Sequence, residues 1–433
     1  MIDITRRRER VFLIGVLPSD EKKEHYQLSM EELHKLAETA EVDVIDSFVQ
    51  SLPRSKTKTY IGKGKLQEIK SFAKTKKVKT LIFNNNLSPA QSRNISNITG
   101  CNVVDRTELI LHIFAQHART KQAKLQVEIA QLDYSFSKLK NLWKHLSRIR
   151  GGIGFRGPGE TQIEIDRREI RYRINILKKQ LKELEKTTKI KRKKRSKYLS
   201  ISLVGYTNAG KSTLFNLLTK EDRLVEDKLF ATLDAKSRLI SHRYEKSVML
   251  TDTIGFIRKL PHKLVESFKS TLLEVVEADL LLHVIDVNQP NVIELIESVN
   301  SVLDEINASK LDIIMVFNKC DLDNSTYFKF LRKKLRNEYP NSVFISAKNG
   351  EGIEQLDDMI NSYIQYKQDT EILRIPMEMN KLIKFVHEQG DVIFSDLDLE
   401  SNEVILEVKI DRDLLENIIK QIEKYRLVCY ING

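Results

Sequence analysis

Residues 199–215 read LSISLVGYTNAGKSTLF: an apolar run, a glycine-bearing loop and the start of a helix. The loop fits Gly205-x4-Gly210-Lys211-Ser212, the phosphate-binding pattern, in the strand–loop–helix context that confirms it. Backbone amides along Gly205, Tyr206, Thr207, Asn208, Ala209, Gly210 and on to Thr213 suit the α and β phosphates of a nucleotide. Lys211 is placed to reach the β and γ phosphates, and the Ser212 hydroxyl to ligate Mg²⁺.

Working toward the C-terminus, SVMLTDTIGF (247–256) is a second apolar run ending in Asp252-Thr253-Ile254-Gly255. An Asp at a strand end beside the phosphate loop holds Mg²⁺ through water, and the Gly255 amide meets the γ-phosphate. Between these motifs, LFATLD (229–234) carries Phe230 against the nucleotide and Thr232 to complete the Mg²⁺ shell. Lys211, Thr232 and Gly255 are thus the candidates for stabilising the transferring phosphate. A third run, LDIIMVFNKCD (311–321), delivers Asn318, Lys319 and Asp321. A carboxylate at Asp321 accepts hydrogen bonds from guanine N1–H and its exocyclic amine, which adenine does not offer, so GTP is the expected nucleotide. SVFISAK (342–348) supplies Ser346, Ala347 and Lys348 as a base-supporting loop.

Phe256 follows the Asp-x-x-Gly motif where a glutamine would orient the attacking water. Unaided hydrolysis is therefore expected to be slow. Asn208 has two readings: a local loop hydrogen bond, or a ligand that lets K⁺ stand in for an arginine finger.

Working toward the N-terminus, the chain is very basic. Residues 135–198 hold 21 Lys and Arg against 6 Asp and Glu, a net +15 in a chain of +12. Charge so concentrated points to a polyanion, with nucleic acid first, over a merely solvated helix face. Leu125, Ile129, Leu132, Phe136, Leu139, Trp143 and Leu146 repeat at alternating spacings of four and three, as do Ile170, Ile174, Leu177, Leu181 and Leu184. Two heptad helices with a short connection predict an antiparallel hairpin arm about 33 Å long. Its tip would be RGGIGFRGPGETQ (150–162), with Gly151, Gly152, Gly154, Gly157 and Gly159, and with Arg148, Arg150, Arg156, Arg167 and Arg168 around it. A plain helix–helix turn needs only roughly 2–8 residues and rarely so many glycines. The basic run 186–197, KTTKIKRKKRSK, reads as a linker, a phosphate-contacting segment, or both.

Residues 10–105 alternate short apolar runs with helical segments, which predicts a small parallel α/β domain. VFLIGVL reads as its first buried strand rather than a signal segment, since no small-residue cleavage site follows. TYIGKGK is too tightly spaced for a second phosphate loop. Residues 371–433 read as βαββαβ, with ILRIP first and LVCYIN as the final strand, a ferredoxin-like order. The expected organisation is α/β throughout: an N-terminal α/β domain (1–105), a helical hairpin arm with basic linker (106–198), a P-loop GTPase domain (199–368) and a small α+β domain (369–433). His112, His117 and His145 are assigned to the arm, with no metal spacing. Three dispersed cysteines suggest a reducing compartment. No apolar run reaches the roughly 20 residues that span a bilayer, so a transporter is excluded.

The glycine block continuing as GGIGFRGPGETQIEIDRREIRYRI, with TYIGKGKLQEI, AKLQVEIAQL, GYTNAGKSTLF, FATLD and DTIGF, resembles the HflX family of ribosome-associated GTPases over essentially the whole chain. The cysteine usage suits the cytoplasm, the heptad seams leave no lipid-facing apolar stripe on the arm, so no stable membrane association is expected, and the expected protein is a monomer cycling between GTP and GDP with Mg²⁺. The resemblance implies binding to the large (50S) ribosomal subunit, with the arm tip on 23S rRNA near the peptidyl-transferase region, and splitting of stalled or idle 70S ribosomes under stress. A ribosome-assembly or hibernation factor that binds 50S without splitting is the alternative.

Overall fold

The computed structural model describes residues 8–19, 22–52, 58–149, 158–193, 198–220, 229–230, 235–241, 243–258, 274–322, 325–399 and 401–432. Its first sheet is built from β1 (Arg10–Pro18), β2 (Asp43–Leu52), β3 (Thr80–Phe83) and β4 (Asn102–Asp105) in the order β2-β1-β3-β4, all parallel. Helices α1 (Lys23–Thr39), α2 (Lys63–Lys76) and α3 (Pro89–Thr99) make the crossovers. β1 is buried on both faces, which is why it reads as an unbroken apolar run. Phe12, Ile14 and Val16 pack with Phe48, Ile69 and Phe83, while Val11 and Leu13 pack with Leu33 and Leu36 of α1 on the other face.

Helix α4 (Arg106–His117) follows β4 without a loop, because Asp105 and Glu108 form a reciprocal capping box. It packs on α1 and on the sheet, and its buried face includes Leu109, Ile110, Ile113 and Phe114. Residues 106–117, with His112 and His117, therefore belong to the sheet layer and not to the arm. Hydrophobic spacing runs on from α4 into the next helix, and only the break at residues 118–120 separates them.

The arm consists of α5 (Lys121–Ile149, 29 residues) and α6 (Pro158–Lys193, 36 residues), about 43 and 54 Å long. Leu125 and Ile129 of α5 meet Leu177 of α6, with Leu132, Leu181 and Leu184 against them, so the two seams face each other. Arg173 reaches across to Glu128 at 2.8 Å. Pro158 opens α6, and Gly159 lies in its first turn instead of the loop. Arg150, Gly151, Gly152, Gly154, Arg156 and Gly157 lie outside the described residues. Arg148 is in the last turn of α5. Arg167 and Arg168 stand some 13–15 Å along α6 from its start, on the shaft rather than at the tip. There Arg167 and Arg171 stack on the Phe136 ring, at 5.4 and 4.9 Å from its centroid.

The second sheet has the order β10-β9-β8-β5-β7-β6. Its strands are β5 (Leu199–Val204), β6 (Lys236–Ile240), β7 (Val248–Asp252), β8 (Leu280–Asp286), β9 (Asp312–Asn318) and β10 (Ser342–Phe344), with only β6 antiparallel. The described helices around it are α7 (Lys211–Thr219), α8 (Val292–Glu305), α9 (Thr326–Glu338) and α10 (Ile353–Lys367). A third, antiparallel sheet follows, β11 (Gln368–Pro376), β12 (Asp391–Asp398) and β13 (Glu403–Asp411) in the order β11-β13-β12, with α11 (Asn380–Gln389) and α12 (Arg412–Asn432). LVCYIN is thus the end of α12 and not a fourth strand. No Gly or Pro interrupts 412–432, and Leu415, Ile418 and Ile422 carry a helical apolar stripe into the core. The central strand β13 already has both neighbours. Among the described residues no helix is long and apolar enough to cross a membrane.

Candidate nucleotide site

The carboxyl ends of β5, β7, β8 and β9 converge on the loop between β5 and α7. Gly205, Asn208 and Gly210 all have positive φ, and helix α7 begins at Lys211 with its free amides toward the loop. A side chain at Gly210 would be strained at its φ of 95° and would displace Asn318, whose Nδ2 would lie 2.2 Å from the added Cβ. Lys211 is buried, and its Nζ donates to the carbonyls of Tyr206 at 2.7 Å and Gly205 at 3.0 Å. Burial pushes its pKa down to about 8, while the Asp252 carboxylate pulls the other way. Ser212 Oγ donates to Asp252 Oδ2 at 2.8 Å.

Two oxygen donors of this kind, a hydroxyl and a strand-end carboxylate, are the hard ligand set that suits Mg²⁺ alongside phosphate oxygens. Thr232, the third expected ligand, lies outside the described residues. Thr213 sits on the first turn of α7, half-buried.

On the base side, Asn318 ties two loops together. Its Nδ2 donates to the Ala209 carbonyl at 2.8 Å and its Oδ1 accepts from the Ala347 amide at 2.9 Å. Lys319, at φ 65°, is fixed from a side the sequence did not reveal: Asp286 Oδ2 lies 2.9 Å from its Nζ, and Asn288 Nδ2 donates to its carbonyl at 2.8 Å. Asp321 is half-buried, Ser346 and Ala347 are buried, and Lys348 is exposed. Asp286 closes the apolar run LLLHVID, the same strand-end position that singled out Asp252, so a sequence signal for it existed.

The loop after β7 is held twice. Phe256 N donates to the Gly205 carbonyl at 3.1 Å, and Thr207 N donates to the Phe256 carbonyl at 2.8 Å. Gly255 lies so close that a Cβ would stand 2.7 Å from Thr207 Cγ2. The Phe256 side chain, 2% exposed, joins Ile254 and Ile257 in a core shared with Val11, Leu33 and Phe114 of the first sheet layer. Phe230 is in that core too, 4.6 Å edge-on from Phe114, so it packs between layers and not on a nucleotide as the sequence suggested. An aromatic beside a phosphate motif looks the same in sequence whichever side it faces.

Glu32 of α1 and Arg106 of α4 complete this contact, and nothing in the sequence marks Glu32. Glu32 Oε1 accepts from Arg106 Nη2 at 2.7 Å and from the Arg258 amide at 3.3 Å; its Oε2 accepts from the Tyr206 hydroxyl at 2.8 Å. Burial, with the Glu32 carboxylate adding to it, pushes the Tyr206 phenol well above its usual range, so it remains a donor.

Three family models match successive parts of the chain: "GTP-binding GTPase N-terminal" at 27–115, "GTP-binding GTPase Middle Region" at 117–195 and "50S ribosome-binding GTPase" at 200–319. Among curated relatives, GTPase HflX of Caldanaerobacter subterraneus subsp. tengcongensis is 42% identical over 422 residues, covering 97% of this chain and 96% of the relative. GTPase HflX of Escherichia coli K12 is 43% identical over 355 residues, covering 82% and 83%. A solved structure of a GTP-binding protein from the archaeon Sulfolobus solfataricus in complex with GDP is 31% identical, covers 82% of this chain and 98% of its own, and superposes with a TM-score of 0.44. With identity at this level across nearly the full length of both chains, and with its phosphate and base loops folded onto one sheet edge, the chain belongs to the HflX family and is a GTP hydrolase.

Proposed function

We propose that this GTPase binds the large (50S) ribosomal subunit through its helical arm and separates stalled or idle 70S ribosomes under stress, hydrolysing GTP in response to ribosome contact. The observation that carries the reading is the arm itself: two helices of 29 and 36 residues, rich in Lys and Arg, rooted in the layer whose α1 and α4 grip the Gly255–Arg258 loop. An arm so long and basic has a polyanion as its natural partner. Arg148, Arg150, Arg156, Arg167 and Arg168, with Gly151, Gly152, Gly154, Gly157 and Gly159, would meet 23S rRNA. The arginine forks would take phosphates, and the glycines would let backbone approach closely.

In the nucleotide site, the amides of Gly205 to Thr213 would receive the α and β phosphates. Lys211 would exchange its two loop carbonyls for the β and γ phosphates, and the Gly255 amide would hold the γ-phosphate in place. Ser212, Asp252 and Thr232 would hold Mg²⁺, which would supply charge neutralisation for the phosphates when bound. Asn318, Lys319 and Asp321, backed by Ser346, Ala347 and Lys348, would hold guanine. The chain would act in the cytoplasm as a monomer and dissociate after hydrolysis.

Sucrose-gradient sedimentation of purified 70S ribosomes with the protein and a non-hydrolysable GTP analogue tests this. Conversion to 50S and 30S peaks, with the protein on 50S, is the expected result. Protein bound to intact 70S ribosomes would replace splitting with the assembly or hibernation reading.

A further inference from the structure

Two consecutive residues at the start of α4 make contacts in opposite directions. The Asp105 side chain is fully buried, and its Oδ1 caps the helix by accepting from the Glu108 amide at 3.0 Å. Its Oδ2 accepts from the Leu87 amide at 3.4 Å within the sheet layer and, toward the arm, from the Tyr134 hydroxyl; it lies 3.1 Å from Lys138 Nζ, which also reaches Glu108 Oε1 at 2.6 Å. Tyr134 and Lys138 are one turn apart on α5, where the arm leaves the sheet layer. Burial and the Asp105 carboxylate together hold the Tyr134 phenol in its donor form.

Arg106 faces the loop after β7. Its Nη1 donates to Asn84 Oδ1 at 2.8 Å and its Nη2 to Glu32 Oε1 at 2.7 Å, with the Arg258 carbonyl 3.5 Å away. Glu32 in turn holds the Arg258 amide and the Tyr206 hydroxyl. A buried carboxylate and a buried guanidinium are thus joined through one peptide unit. Buried ionic networks of this kind tolerate little distortion, because an unpaired charge is costly there. A shift of α5 at Tyr134 and Lys138 would therefore strain the first turn of α4 and the contacts it makes with Arg258, three residues from Gly255.

We propose that Asp105 and Arg106 are positioning residues that couple the arm to the Gly255–Arg258 loop, so that load on the arm changes the geometry in which the γ-phosphate is held. This rests on the reading that the arm engages the large subunit, and it adds the route by which that engagement reaches the nucleotide. Tyr134 and Lys138 are the arm-side handles; Glu32 is the loop-side handle.

The test uses the full-length chain carrying Tyr134→Phe together with Lys138→Met, which leaves the nucleotide site untouched. GTP hydrolysis is measured alone and with purified 50S subunits, alongside sedimentation on 50S and thermal melting. The expected result is kcat and KM for GTP without 50S changed by no more than about twofold, 50S binding retained, and a stimulation by 50S reduced roughly tenfold, within the range for residues along a coupling network. Lys138→Arg in the parent background should keep the stimulation. Hydrogen exchange supplies a readout that needs no ribosome: the peptide spanning 254–258 should exchange at a changed rate in the double variant, which a merely local role at the arm root would not produce. If the parent is stimulated by 50S and the double variant equally so, the coupling is wrong. If the parent neither binds 50S nor responds to it, the ribosome reading fails and takes the proposal with it.

Discussion

Lys211 Nζ donates to the carbonyls of Tyr206 and Gly205, at 2.7 and 3.0 Å, so the lysine meant for phosphate is held by its own loop. Those bonds do not fully offset its burial, since the ammonium pKa is pushed down to about 8. Lys211→Met should therefore keep or slightly raise the melting temperature of the nucleotide-free protein, because an apolar side chain removes a penalised charge. The same change removes the cation proposed to face the transferring phosphate and should lower kcat roughly 10²–10³-fold, the magnitude typical of losing one such electrostatic donor. Calorimetry and single-turnover hydrolysis check the two halves. A large drop in melting temperature would mean that the loop depends on this lysine for its shape.

Asp321 is the candidate for guanine recognition, and Asn318 fixes the strand end that presents it by bonding Ala209 and Ala347. Asp321→Asn replaces one acceptor with a donor. It should weaken GTP by roughly 10⁴-fold or more, the penalty for leaving polar groups of a fitted site unpaired, while improving xanthosine triphosphate, whose C2 carbonyl accepts where guanine donates. Competition binding with the two nucleotides reads this directly. Equal loss of both would assign Asp321 a structural role instead.

How far these residues could be read in advance depends on whether their signal is local. Gly205 to Ser212, Asp252 and Asn318 each combine a strand-ending apolar run with a short motif, and the structure brings them together at one sheet edge. The heptad seams work for the same reason, since Leu125, Ile129 and Leu177 announce a shared face by spacing alone. Glu32 carries no such signal. It is one charged residue among several on α1, and its importance comes from meeting Arg106, Tyr206 and Arg258, which are 74, 174 and 226 residues away in the chain. Phe230 misled because apolar side chains do not declare which of two adjoining layers they enter. The C-terminal helix misled because LVCYIN is β-branched and aromatic enough to suit a strand, and the sheet's vacancy was decided by β11 and β12.

His283 sits at the floor of the site on β8, 1% exposed, with no hydrogen-bond partner for Nδ1 among the described residues. Burial first, and the nearby Lys211 charge second, push its pKa down to about 3. Its unfolded-state value is about 6.5, so between those limits the unfolded chain binds a proton that the folded chain refuses. The associated stability is fully present above pH 6.5 and is lost as pH falls toward 3, at up to about 1.4 kcal/mol per pH unit. His283→Leu should flatten this part of the acid limb. Urea unfolding at pH 6.5 and pH 5, compared between parent and variant, measures it; parallel curves would show that another group carries the acid sensitivity.

Phe256 occupies the position where a water-orienting side chain would stand, and it is buried in the core shared with the first sheet layer, unable to face a phosphate in this arrangement. Charge on the γ-phosphate beyond what Lys211 and Mg²⁺ would neutralise falls to another group. Asn208 is exposed at the loop crest with φ 61°, and among the described residues its side chain makes no hydrogen bond, so the purely local role considered for it is not taken up here. Its amide oxygen is free to ligate a monovalent cation set against the β and γ phosphates, where a cation would act as an arginine finger does. Hydrolysis should therefore run faster in K⁺ than in Na⁺ at equal ionic strength, because the smaller Na⁺ holds its water more tightly and fits fewer ligands at the K⁺ spacing. Asn208→Ala should abolish the difference while leaving GTP affinity within a few fold. Rates that are equal in the two salts for the parent chain would remove the monovalent cation from the mechanism.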